Sequence, residues 1–382
     1  MTDAFIVSAV RTPVGRRNGG LHEVHPVDLA GAVVAEAVRR AGVPADAVDD
    51  VILGCVSQLG AQAFNIARTA ALSAGLPTTV PGVSIDRQCG SSQQAVHFAA
   101  QAIRSGDQDV VVAGGVEVMS LVPIGSGASV GEAAGMGHPR GGRLWHERFG
   151  DVEFSQFKGA EAIAEQWDIS REAMERFALR SHQRATAAAQ SGAFDTEIMP
   201  INNLRWDEGP RPDSTLEKMA SLKPLVPNGR LTAALSSQIS DGASALVLAS
   251  TEAVTRYGLS PLARVHMTAV IGSDPVMMLS GPIPATALVL ERAGLKVDDI
   301  DRFEVNEAFA SVVLAWLAEV GADPERTNPD GGAIALGHPL GATGTRLMAT
   351  MVHGLRRTGQ RYGLQTMCEG GGMANATIIE RL

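Results

Sequence analysis

Hydrophobic positions along this chain fall into two alternating textures. Unbroken apolar runs, such as "VVVAGG" from Val110 and "SALVLAS" from Ser244, stand between longer stretches whose apolar residues recur at helical spacing. A run without a polar face predicts a strand covered on both sides, and the flanking amphipathic stretches predict the cover. The expected class is therefore α/β, built on parallel-rich sheets. "DISREAMERFALRSHQRATAAAQSG" predicts a helix that starts at Ser170, with Glu172 close behind, and stops at Gly192. "GSSQQAVHFAAQAIRSG" predicts another, after the strand-like "VPGVSID", with Cys89 in its first turn.

The pattern occurs twice. "RAGVPADAVDDVILG" (Arg40 to Gly54) overlays "RAGLKVDDIDRFEVN" (Arg292 to Asn306) without a gap, at an offset of 252 residues. "AAQAIRSGDQDVVVAGG" follows the pattern of "TMVHGLRRTGQRYGLQTMC", with Arg104 to Gly106 facing Arg357 to Gly359 at an offset of 253. Two collinear matches at nearly one offset predict a duplicated α/β unit, with a period too long for a solenoid. From Ser120 to Ile239 the texture changes to a Gly-rich stretch, helices, and loops rich in Pro and charge, which predicts an insertion. Arg205, Arg211, Lys218, Lys223 and Arg230 fall close together there, either as a solvated face or as a site for an anion.

Composition narrows the classes. The 382 residues are 45% hydrophobic and include 42 glycines, enough for two or three domains with real cores. No run of 18 apolar residues and no secretory leader pattern is visible, which predicts a soluble, cytoplasmic protein without a membrane partner. Cys55, Cys89 and Cys368 lack the paired spacing of a zinc site or a disulfide framework, so reduced thiols and no metal are expected. A net charge of −9 argues against nucleic acid as a partner, while leaving room for a local basic cluster.

Cys89 can be read as core filling or as a nucleophile. A helix N-terminus would lower its thiol pKa, whereas free cysteines are among the most buried residues. The C-terminal copy supplies candidate partners: His338 in the glycine-rich "GGAIALGHPLGATGTRL", and Cys368 ahead of three glycines in "TMCEGGGMANATII". Glycines let backbone N–H groups approach a ligand, as an oxyanion hole requires. In the overlay Cys368 falls opposite Gly115 and Asn306 opposite Gly54, so the second copy carries polar groups where the first has none. Four such groups at strand ends or loops are better explained by one shared site than by four separate accidents.

"CGSS" at Cys89, "NEAFA" at Asn306, "GGAIALGHPLGATG" around His338 and "CEGGGMA" at Cys368 resemble the thiolase family, as do "GGVEVMS" and "SDGASALVL". The resemblance spans essentially the whole chain. It implies the thiolase fold: two duplicated α/β halves stacked in five layers (αβαβα), with an inserted loop domain. By resemblance the N-terminal half covers 1–119, completed by about 240–261; the loop domain that holds coenzyme A covers 120–239; the C-terminal half covers 262–382.

The resemblance also implies a mechanism. Cys89 is the nucleophile, His338 activates it, and Cys368 is the acid–base thiol. Asn306 holds a water that completes one oxyanion hole with His338, and backbone N–H groups near Cys89 and Gly370 form the other. The implied CoA or acyl contacts are Arg211, Lys218, Leu222, Ser237, Met278 and Phe309. Coenzyme A is then a co-substrate, no cofactor is permanently bound, and the protein is a homodimer or homotetramer. Gln156 and Phe157 stand where short-chain biosynthetic thiolases carry a His-Met-Gly turn. That departure resembles a degradative branch acting on bulky, including sterol-derived, 3-oxoacyl-CoAs; synthesis of acetoacetyl-CoA is the alternative. A ketosynthase-like condensing enzyme would pair its cysteine with two histidines, and Cys368 argues against it. The tract from Gly125 to Gly142 matches no tetramerisation loop.

Overall fold

The computed structural model describes residues 2–382. The N-terminal part runs β1 (Phe5–Arg11), β2 (Gly15–Arg16), α1 (Pro26–Ala41), β3 (Asp50–Gly54), α2 (Ile66–Ser73), β4 (Gly82–Ile85), α3 (Ser91–Ser105) and β5 (Val110–Val118). Five helices follow: α4 (Ser126–Ala133), α5 (Arg143–Phe149), α6 (Gln156–Gln166), α7 (Arg171–Gln190) and α8 (Leu216–Ala220). The chain then returns through β6 (Ser240–Ala249) and α9 (Thr251–Tyr257). The last part runs β7 (Ala263–Gly272), α10 (Pro282–Ala293), β8 (Arg302–Val305), α11 (Ala310–Val320), α12 (Ala333–Leu336), α13 (Thr343–Thr358), β9 (Tyr362–Glu369) and β10 (Met373–Arg381).

The strands are ordered β4-β3-β5-β6-β1-β7-β10-β9-β8. Read outward from the β1–β7 junction, β6-β5-β3 on one side mirrors β10-β9-β8 on the other. The overlay of Arg40–Gly54 with Arg292–Asn306 therefore marks β3 against β8. Alternation along the strands sorts the layers. Val110 and Val112 face α1 and α2, whereas Val111 and Ala113 face a layer that contains α3 and α13. On the far side Val305 and Ala376 pack against α10 and α11. The result is α1/α2, sheet, α3/α13, sheet, α10/α11, which is the five-layered thiolase arrangement.

One expectation is corrected. β3 is parallel to β4 and β5, and β8 to β9, but β6 and β10 run antiparallel to both of their neighbours. The sheet is mixed rather than parallel-rich. α7 begins where expected: Ser170 caps it by accepting from the Ala173 N–H at 3.1 Å. The inserted helices α6 and α7 pack with α11 in a cluster that also contains Cys368. α4, within the 125–142 tract, buries no residue.

Candidate active site

The strand ends and loops of both halves converge on one narrow, mostly apolar cleft of about 160 Å³. Cys89, His338, Cys368 and Gly370 line it, together with Gln156, Phe157, Ser237, Leu279 and Phe309. Ser236 and Gln238 are shared with a second, wider cavity of about 270 Å³, lined by Arg211, Lys218 and Leu222. The wall between the two is built by pairing: Ser237 N donates to Ala308 O at 2.9 Å, and Ser236 bridges Phe309. The aromatic ring of Phe157 meets Phe309 edge-on at 5.7 Å between centroids.

Two expected positions do not line the cleft surface. Met278, with a positive φ of 54°, and Leu279 pack in the same core cluster, and of the two Leu279 also lines the cleft. Asn306 is fully buried behind His338, with Nδ2 3.4 Å from His338 Nε2, and does not reach the cleft surface. The basic residues separate as well. Arg230 turns inward to the carbonyls of Ala164 and Ile169, both at 2.9 Å, whereas Arg211 and Lys218 stay exposed at the wider cavity.

Cys89 lies just outside α3, since Gly90 is the N-cap and Ser91 the first helical residue. The thiol of half-buried Cys89 is shifted up rather than down. Burial pushes the thiol up to about 12, helped by nearby Glu369, although the backbone N–H groups of Cys89 and Gly370 act in the other direction. Desolvation here outweighs hydrogen bonding. Cys368 is fully buried, and its thiol is likewise raised by burial and then by Cys89. Burial and the Arg346 guanidinium hold His338 down at about 3. The resting cleft holds a thiol and a neutral imidazole, so a proton must move during attack.

The tautomer of that imidazole follows from its partner. Thr343 Oγ1 donates its single proton to Pro339 O at 2.8 Å and lies 2.6 Å from His338 Nδ1. Nδ1 must therefore carry the hydrogen, leaving Nε2 unprotonated as the base, with Asn306 Nδ2 as a long donor to it at 3.4 Å. Thr343→Val removes this acceptor and should lower kcat about tenfold to a hundredfold with KM little changed, while Thr343→Ser restores turnover. Steady-state kinetics of the two variants check this.

Three supporting residues carried no assigned role in the sequence. Glu117, inside "GGVEVMS", accepts from Val56 N, Ser57 N, Gln62 Nε2 and Gly341 N, all within 3.0 Å. It ties the loop after His338 to the end of β3. Gly115 permits that approach, because a Cβ there would lie 2.0 Å from Gly341 O. Glu307, in "NEAFA", accepts from Ser181 Oγ, Asn328 Nδ2 and Ile334 N. Gln238 Nε2 lies within 3.1 Å of the carbonyls of Gly209 and of Ile334 and Ala335 in α12, and its backbone carbonyl accepts from His338 N. A carboxylate inside an apolar run was the available signal for Glu117.

A cysteine, a neutral base, a second thiol and backbone donors at the end of a two-chambered cleft define an acyl-transferring enzyme. Residues 4–252 match the family model "Thiolase, N-terminal domain" and residues 259–381 match "Thiolase, C-terminal domain". The chain belongs to the thiolase family. It is 58% identical to the steroid 3-ketoacyl-CoA thiolase FadA6 of Mycobacterium tuberculosis, across 100% of this chain and 95% of the relative. It is 44% identical to the 3-oxoadipyl-CoA/3-oxo-5,6-dehydrosuberyl-CoA thiolase of Escherichia coli, across 100% of both. Human mitochondrial 3-ketoacyl-CoA thiolase, solved in complex with CoA, superposes with a TM-score of 0.91 at 37% identity, covering 100% of this chain and 98% of that one.

Proposed function

We propose that the protein cleaves a bulky 3-oxoacyl-CoA with free CoA, giving acetyl-CoA and a shortened acyl-CoA. The observation that carries this reading is the convergence of Cys89, His338, Cys368 and Gly370 on one cleft. In the first half-reaction Cys89 Sγ attacks the C3 carbonyl while His338 Nε2 takes its proton. The C2–C3 bond breaks, and Cys368 protonates the departing C2 carbanion. In the second, the Cys368 thiolate takes the proton of the CoA thiol as its sulfur attacks acyl-Cys89. Cys89 then leaves and recovers its proton from His338, so no proton is gained or lost overall.

The N–H groups of Cys89 and Gly370 are suited to the oxyanion formed on the acyl carbon. Asn306 Oδ1 is buried without a partner among the described residues, which suits it to hold a water beside His338 for the thioester oxygen. The wide cavity is read as the seat of the CoA nucleotide, within a loop domain of residues 120–239 placed between halves 1–119, completed by 240–261, and 262–382. Arg211 and Lys218 would meet phosphate there, beside Leu222, while Ser237 and Phe309 would flank the pantetheine. Arg211→Ala should then raise KM for CoA substrates about threefold to tenfold and leave kcat nearly intact. An unchanged KM would leave that cavity without a phosphate partner.

The apolar wall of Phe157, Phe309 and Leu279, and the identity to a protein named for steroid 3-ketoacyl-CoA, support a bulky acyl group. A homodimer or homotetramer is supported by the open edge of β4 and by Phe64, 96% exposed nearby in sequence. No helix among the described residues is long and apolar enough to cross a membrane. CoA-dependent cleavage across a panel of 3-oxoacyl-CoAs of increasing bulk tests the reading. The best substrate should be among the bulky members; a preference for acetoacetyl-CoA would contradict it.

A further inference from the structure

β9 ends on two ionisable residues whose side chains leave opposite faces of the sheet. Cys368 faces the cleft. Glu369 faces the turn that carries Cys89: a methyl placed on Gly90 would lie 1.9 Å from Glu369 Oε1 and 2.8 Å from Asn375 Nδ2. Both side chains are fully buried. In the β9–β10 pairing Glu369 stands opposite Met373 and Asn375 opposite Met367, which puts Glu369 and Asn375 on the same face. Asn375 Nδ2 donates to Gly90 O at 3.1 Å. Both Glu369 oxygens and Asn375 Oδ1 have no partner among the described residues.

A buried carboxylate with no donor is costly, and protonation removes the cost while creating a donor. Asn375 Oδ1, on the same face of the neighbouring strand, is an unpartnered acceptor among the described residues. Burial pushes Glu369 up to about 8, with Arg87 pulling it down and Asp86 pushing it up. Those two residues, at the start of the β4–α3 turn, and the thiols of Cys89 and Cys368 are the ionisable groups coupled to it.

We propose that Glu369 and Asn375 are positioning residues for the nucleophile turn. Neutral Glu369 donates to Asn375, which holds the Gly90 carbonyl and with it the Cys89 backbone; ionised Glu369 puts a negative charge beneath the turn and opposes formation of the Cys89 thiolate. The inference rests on Cys89 as nucleophile, and that reading fails separately, by Cys89→Ala retaining thiolysis.

The test compares wild type, Glu369→Gln and Glu369→Met by the pH dependence of Cys89 alkylation with iodoacetamide and by thiolysis kinetics. Gln keeps the donor without the charge, so its alkylation rate should match wild type near about pH 7 and exceed it about threefold to tenfold near about pH 9. Its kcat at about pH 7 should be retained. Met removes both charge and donor: alkylation should follow the Gln profile, while kcat falls several-fold at unchanged KM. Alkylation profiles that superpose for wild type and either variant would overturn the electrostatic half. A Met variant with full kcat would overturn the positioning half.

Discussion

Cys368→Ala is expected to lose thiolysis of a 3-oxoacyl-CoA by about 10²–10⁴, the range that positioned acid–base groups supply. The departing C2 carbanion has no proton donor without Cys368, and the incoming CoA thiol has no base. The same variant keeps Cys89, the His338 base and the N–H groups of Cys89 and Gly370, so it should still accept an acyl group from an activated thioester. Its failure is therefore in turnover and not in acylation. A Cys368→Ala enzyme with near wild-type thiolysis would mean that another group handles the carbanion.

His338→Ala is expected to cost a similar factor of about 10²–10⁴, but at a different step. Burial holds the Cys89 thiol near 12 and the His338 imidazolium near 3, so there is no standing thiolate to attack substrate. Without Nε2 the proton has nowhere to go as the sulfur attacks. Acyl-enzyme formation itself should slow, which rapid-quench measurement separates from the Cys368→Ala behaviour. The variant acylating within about tenfold of wild type would show that Cys89 ionises without the imidazole.

Much of this arrangement was legible in the sequence because duplication leaves a register. The offset of 252 residues between β3 and β8 survives as the symmetry of the sheet about β1 and β7. Strand direction was less legible. An unbroken apolar run reports burial on both faces and says nothing of orientation, which the connections decide. β9 and β10 are joined by the short Gly370–Gly372 turn, with φ of 85° at Gly371 and 76° at Gly372, and so must be antiparallel. The three glycines were read for backbone access to a ligand, and they also close a hairpin.

The errors within the site have similar causes. Cys89 was expected in the first turn of its helix, whereas the helix begins at Ser91 with Gly90 as its cap. Burial, which local pattern does not report for a single residue, then set the direction of the shift. Met278 and Leu279 are adjacent apolar residues packed in one core cluster, and an apolar pattern does not distinguish which of them also meets the cleft. Glu117, Glu307 and Gln238 bind backbone groups that are distant in sequence, and only the folded chain brings those groups together.

The central claim is that Cys89 carries the acyl group. Its most direct test is the mass of intact Cys368→Ala protein after mixing with an acyl-CoA, followed by peptide mapping, with Cys89→Ala treated in parallel. The account predicts one acyl adduct per chain on the peptide that contains Cys89, and none in Cys89→Ala. An acyl adduct on Cys89→Ala, or an adduct on any other residue of Cys368→Ala, would contradict it.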